Sequence, residues 1–191
     1  MKNMYLLDIV QGIRKNKMES ALFDTMFFGS YYYGDQGETA PIEWIILKEE
    51  NGRKLLLSKY IIDAVDYHEK GQVQSWEECS IRTWLNKEFI KKSFSETEDL
   101  KQCEDKVFLL SVEEIKKYLG TDEAAMGQVT PYALEKGVFT QNAGLWWTCT
   151  PGDDFGMQTY IDTEGGIAYE GCYQQRSEVG LRPAVWINEE A

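Results

Sequence analysis

PIEWIILKEENGRKLLLSKY, residues 41–60, decides how this chain is read. Ile42 to Leu47 and Lys54 to Lys59 are apolar runs of strand length, and Asn51-Gly52 joins them. Asn and Gly tolerate the positive φ that both central positions of a type I′ turn demand, and that turn matches the twist of two antiparallel strands. The stretch is therefore a β-hairpin.

Working outward, Met26 to Tyr31 reads as a shorter strand ahead of the hairpin, with Gly34 to Gly37 as the loop. Before it, Leu6, Ile9, Val10 and Ile13 recur at helical spacing, so residues 3 to about 22 are expected as an amphipathic helix. Residues 1–25 are accordingly expected as an N-terminal helical appendage and residues 26–191 as one α+β domain. Past the hairpin, Ser75-Trp-Glu-Glu78 has the form of a capping box, as do Ser95 to Glu98 and Ser111 to Glu114. Lys106 to Leu110 reads as a buried strand, and Thr130-Pro131 opens a further helix that Gly137 stops.

The last fifty residues return to strands. Trp146 to Thr150 ends at Pro151-Gly152, and Met157 to Asp162 pairs with Ile167 to Glu170 across Thr163 to Gly166. Leu181 to Ile187 closes the series, and Pro183, which has no amide donor, is expected to put that strand at an edge or on a bulge. Strands, then helices, then strands make an α+β fold.

Composition narrows the function classes. The 191 residues carry 32 acids against 20 bases, a formal net charge of −12. Such a chain repels polyphosphate and anionic lipid, so neither nucleic acid nor a membrane is an expected partner. A single histidine, His68, leaves no basis for a His-rich metal site. The four cysteines, Cys79, Cys103, Cys149 and Cys172, form no C-x-x-C pair and read as scattered thiols of a reduced compartment. No apolar run of about 18 residues occurs and no signal-peptide pattern opens the chain, so a cytoplasmic location is expected. A chain trimmed of its leader would read the same way.

SWEECSIRTWLN (75–86), DKVFLLSVEE (105–114), WWTCTPG (146–152), YIDTEGGI (160–167) and GLRPAVWI (180–187) occur in an order that resembles an uncharacterised bacterial domain family. FGSY (28–31) and the hairpin also resemble it, so the likeness spans about residues 27 to 188. Its C-terminal pattern is similar to C-type-lectin-like domains, in particular the branch that contains formylglycine-generating enzymes. That resemblance implies a C-type-lectin-like single domain with irregular, ligand-displaying loops. Cys149 stands where the family usually has Arg, so any role of that Arg does not carry over.

Trp146 and Trp147 are consecutive and point to opposite faces of a strand. One is core; the other needs a second layer, a loop cover or a ligand. Trp76, Arg82, Trp84 and Asn86 fit the core of a capped helix with a paired Arg82 better than a binding face. Arg182, between Leu181 and Pro183, reads as a structural cation paired with a carboxylate. Asp153, Asp154, Asp162 and Glu164 offer oxygens of the kind calcium takes, but their spacing matches no EF-hand loop, so no cofactor is expected. No nucleophile has a base at useful spacing, and acids surround Cys149 and Cys172, so no catalytic residue is assigned.

The expectation is a non-enzymatic ligand-recognition module. Its candidate binding residues are Trp147, Tyr160, Tyr169, Tyr173, Gln174, Gln175 and Arg176, on the C-terminal loops. Tyr offers wide contact at little rotamer cost. The partner is a small molecule, a glycan, a peptide or a protein surface. Two alternatives stand beside this: an assembly role, with a homo-oligomer formed through the N-terminal helix, and an enzyme related to the sulfatase-modifying branch.

Overall fold

The computed structural model describes residues 23–34, 37–71, 73, 75–94, 100 and 105–188. The expected N-terminal helix, the Ser95 box and Cys103 lie outside the described residues.

The hairpin forms as its turn dictates. Strands β2 (Thr39–Glu50) and β3 (Arg53–Ser58) pair antiparallel, and Asn51 and Gly52 sit at φ 52° and 71°. β1 (Thr25–Tyr32) adds to the outer edge of β2. Leu55, Leu56 and Leu57 are all buried, an uninterrupted apolar run that only a strand covered on both faces accepts. Leu56 belongs to a core cluster with Ile81, Leu85 and Phe89, whereas Leu57 packs with Ile115, Leu119 and Trp146.

After β3 come two short strands, β4 (Tyr60–Ile61) and β5 (Asp63–Ala64). The first helix, α1, covers residues 80–93; its middle turn, Leu85–Phe89, is π-helical, between α-helical Ser80–Trp84 and Ile90–Ser93. The Ser75 box does not form. Trp76–Glu78 is a separate 3₁₀ turn, and the Ser75 side chain makes no capping bond. Tertiary contacts explain the departure: the Trp76 indole donates to Asp105 at 2.6 Å, and Cys79 is extended, so the chain enters α1 afresh. The Nδ1 atom of His68 takes up the Ser80 amide at 3.2 Å. His68 is thus half-buried at the start of α1.

The remaining local signals succeed where little else competes. β6 is only Val107–Phe108. Ser111 caps α2 (Val112–Tyr118) with both bonds of the box, Thr121 caps α3 (Asp122–Ala125), and β7 is Gln128–Val129. Thr130 caps α4 (Pro131–Glu135), with Pro131 in the first turn and Gly137 at φ 104° beyond it. β8 (Trp146–Pro151), β9 (Met157–Ile161) and β10 (Ile167–Tyr173) follow as an antiparallel series.

The closing strand differs most from expectation. It divides into β11 (Gly180–Leu181) and β12 (Ala184–Asn188), which belong to different sheets. One sheet has the order β1-β2-β3-β12-β6, the other β10-β9-β8-β11-β5, and β4 and β7 pair separately. β12 is therefore interior. Pro183 lies in the gap between the sheets, where its missing amide breaks no ladder, and its carbonyl accepts the Ser58 amide at 2.9 Å.

Arg182 fills the same gap. It is 2% exposed, donates Nε to Ser58 O and Nη1 to Ala125 O, each at 2.9 Å, and lies 5.1 Å over the Trp146 ring. Trp146 Nε1 shares the Ala125 carbonyl at 3.0 Å. Main-chain carbonyls and an indole face thus replace the expected carboxylate: among the described residues no acid pairs with Arg182. Burial pushes this guanidinium down to about 9, a cost that the charge-assisted bonds and the ring offset.

Arg182→Met keeps the stem but removes both donors. We expect it to lower stability by about 1–3 kcal/mol, seen as a lower urea midpoint at unchanged slope. A gain in stability would mean that desolvation outweighs the bonds.

Candidate functional site

The C-terminal loops turn much of their polar chemistry inward. Trp147 is fully buried; its Nε1 donates to Val65 O at 3.1 Å and its ring lies 5.8 Å from Tyr67. The two tryptophans do take opposite faces, but each face has its own core cluster, so Trp147 presents nothing to a ligand. Gln174 is also fully buried. Its amide gives Nε2 to Val73 O at 2.6 Å and accepts Val73 N at 3.0 Å, reproducing a strand pairing with a side chain. Both residues leave the candidate set for that reason.

Gln175 is exposed, yet its Nε2 is held by His68 O at 2.7 Å and Gly71 O at 2.9 Å. Arg176 pairs with Glu178 at 2.7 Å. Tyr160 is half-buried, and burial raises its phenol above the usual range. Tyr169 and Tyr173 remain open, with the Lys116 ammonium 5.2 Å from the Tyr169 ring centre. Arg82 is ion-paired with Asp105 at 2.7 Å, in keeping with a helix-core role. Asp162 spends Oδ1 on the amides of Glu164 and Gly166, and no metal-holding group of acids, Cys and His occurs among the described residues.

A concave site lies elsewhere, where β1, the start of β2, β4 and the Thr130 cap meet. This pocket has a volume of about 250 Å³. Tyr31, Ile42, Ile62 and Thr130 form its buried lining, and Tyr32, Tyr60 and Glu43 its half-buried wall. Phe27, 67% exposed, and Tyr33, 44% exposed, stand at its mouth.

A bulge in β1 builds the aromatic wall. Phe27 pairs with Glu43 and Ser30 with Pro41, so β1 uses three residue steps where β2 uses two. Gly29, at φ 65°, takes up the extra residue; a Cβ there would lie 2.6 Å from the Phe94 ring. In an unbroken strand Tyr31 would share the face of Phe27. The bulge exchanges the faces: Tyr31 turns to the core and Tyr32 joins Phe27, Pro41 and Glu43.

Tyr31 is anchored by donating to Asp63 Oδ2 at 2.6 Å, while Ala64 N donates to Oδ1 at 2.8 Å. Burial raises the Asp63 carboxyl above the ordinary carboxylate range, against the lowering effect of these bonds. Burial likewise raises the Tyr31 phenol, and the Asp63 charge adds to it. Tyr32 packs against both Tyr31 and Tyr132, its ring centre 5.1 and 5.0 Å from theirs. The sequence held a signal for this cluster. Tyr31-Tyr32-Tyr33 at a strand end cannot all face one core.

The chain belongs to the family described as a domain of unknown function, DUF6273, whose model matches residues 51–101 and 96–189. Comparison with curated proteins and with solved structures gives no match. The family agrees with the uncharacterised-domain part of the resemblance. Its matched span starts at Asn51, so β1 and all of β2, with the mouth of the pocket, lie outside it. No helix among the described residues is long and apolar enough to cross a membrane.

Burial pushes the thiols of Cys79, Cys149 and Cys172 up to about 11, 12 and 11. A thiol whose pKa is higher in the folded than in the free state adds stability that is complete below its free value and declines above it. For Cys149 that window runs from 9.0 to about 12. At pH 8 the native protein should therefore react with iodoacetamide at these three sites at least about tenfold more slowly than the urea-unfolded chain, as peptide mass mapping would read. Equal rates would contradict the burial of the thiols.

Proposed function

We propose that this protein is a non-enzymatic ligand-recognition module whose principal contact is the tyrosine-walled pocket, with Tyr169 and Tyr173 as a separate exposed surface. The observation that carries this reading is the pocket itself. It is concave and walled by the rings of β1, of Tyr33 just beyond it and of Tyr60 on β4, and its interior is fixed by buried hydrogen bonds. Tyrosine supplies a broad apolar face with few rotors to freeze, so contact costs little entropy. A volume of about 250 Å³ lies just under the roughly 300–1,000 Å³ of sites for drug-sized ligands. It suits one ring, one side chain or one head group of a glycan, peptide or protein surface. Cys79, Cys149 and Cys172, whose thiols burial holds protonated at neutral pH, favour recognition over cysteine chemistry of the sulfatase-modifying kind.

The C-type-lectin-like architecture belongs to the same proposal. Its support is that the Trp-rich strand β8 and the Gly-x-Arg-Pro strand β11 pair in one sheet, at Trp146 and Gly180. β12 then follows as an interior strand of the other sheet.

Screening a glycan array and a short-peptide library, then repeating any hit with variants, tests the reading. Phe27→Ala and Tyr33→Ala should each weaken the hit by about tenfold, the range of an interface anchor. Tyr169→Ala and Tyr173→Ala should leave it near the parental value. The opposite pattern would return the site to the C-terminal loops.

A further inference from the structure

Resting on that recognition reading, we infer that the pocket takes an organic cation, a quaternary or fully methylated ammonium head group. The first reason is the lining. A ring face carries negative quadrupole charge and attracts a cation within about 6 Å of its centre, most strongly when the cation is poorly hydrated. Methyl groups on nitrogen supply that poor hydration, and they suit the apolar floor of Ile42 and Ile62.

The second reason is that tyrosines of this region already hold ammonium groups of the chain itself. Lys59 Nζ lies 5.7 Å from the Tyr60 ring centre, and Lys136 Nζ 5.3 Å from that of Tyr132. Among the described residues no cation lies over Phe27 or Tyr33, the two rings at the mouth. The faces that solvent reaches are thus open to a ligand's charge.

Charge balance points the same way. Lys59 is paired with Glu43 at 2.9 Å, so this lysine adds no net positive charge beside the pocket. The Asp63 carboxylate stands behind the floor, bonded to Tyr31 and to the Ala64 amide. A chain of net charge −12 concentrates cations near its surface and repels anions. The same head group occurs on small molecules and on methylated lysine side chains, and the probes below separate the two.

Calorimetric titration of the full chain at constant ionic strength would use three probes: choline, its neutral isostere 3,3-dimethylbutan-1-ol, and a short glycine-flanked peptide carrying trimethyllysine. Choline or the peptide should bind at least about tenfold more tightly than the alcohol, and the tighter of the two names the source. Phe27→Ala and Tyr33→Ala should each cost about three- to tenfold in that affinity. Phe27 and Tyr33 are 67% and 44% exposed, so the urea midpoint should move little and a lost signal reports the pocket and not the fold. Equal binding of choline and the alcohol would overturn the cation assignment while leaving recognition by shape intact. Failure of both cationic probes would overturn the assignment whatever the glycan and peptide screen returns, and that screen alone decides the broader reading.

Discussion

Between Leu181 and Ala184 the backbone leaves one five-stranded sheet and enters the other, and the buried Arg182 guanidinium is bonded at that crossing. Nε reaches the end of β3, Nη1 reaches the last carbonyl of α3, and the ring beneath belongs to β8. The main chain repeats the connection: Ser58 N donates to Pro183 O and Ile62 N to Leu181 O, each at 2.9 Å. Ile62 lines the pocket. Thr130, whose amide donates to Ile61 O at 3.0 Å, lines it too. The pocket interior therefore hangs from the crossing, and its shape is as rigid as the junction of the two sheets.

The two ends of the molecule use similar residue types for opposite purposes. On the C-terminal side, amide side chains close loops: Gln174 and Gln175 together bind the main chain of residues 68, 71 and 73. Within β8 and β9, Thr148, Thr159 and Gln158 bond one another or nearby carbonyls where the strands bulge. These groups satisfy buried polar atoms and have little left for a ligand. On the β1 side a bulge does the reverse and brings the Tyr32 ring to the face of Phe27. Aromatic surface with its hydroxyls at the edge is a recognition resource; an amide with both hydrogens committed is a structural one.

How far the sequence revealed this depends on how local each signal was. Asn51-Gly52, the Ser111 box and Thr130-Pro131 each act within four residues and appear in the structure as read. The Ser75 box has the same letters but fails, because Asp105 captures the Trp76 indole and His68 takes the Ser80 amide, neither of which a local pattern contains. Trp147 and Gln174 could be placed on a strand and a loop, but their burial depends on Val65, Tyr67 and Val73, 80 to 101 residues away in sequence. The exchange of Tyr31 and Tyr32 across the sheet needed the register of β1 on β2. Gly29 was its one local mark. Pro183 points to an edge strand or a bulge, whereas it lies between two sheets, which only the topology shows.

Native-state amide hydrogen exchange tests most directly whether the crossing and the pocket interior form one unit. The account requires the amides of Ser58, Ile62 and Thr130 to exchange only through global unfolding, with a common free energy equal to that from urea denaturation. Exchange of Ile62 and Thr130 through a smaller opening, while the β3 and β12 amides stay protected, would contradict it.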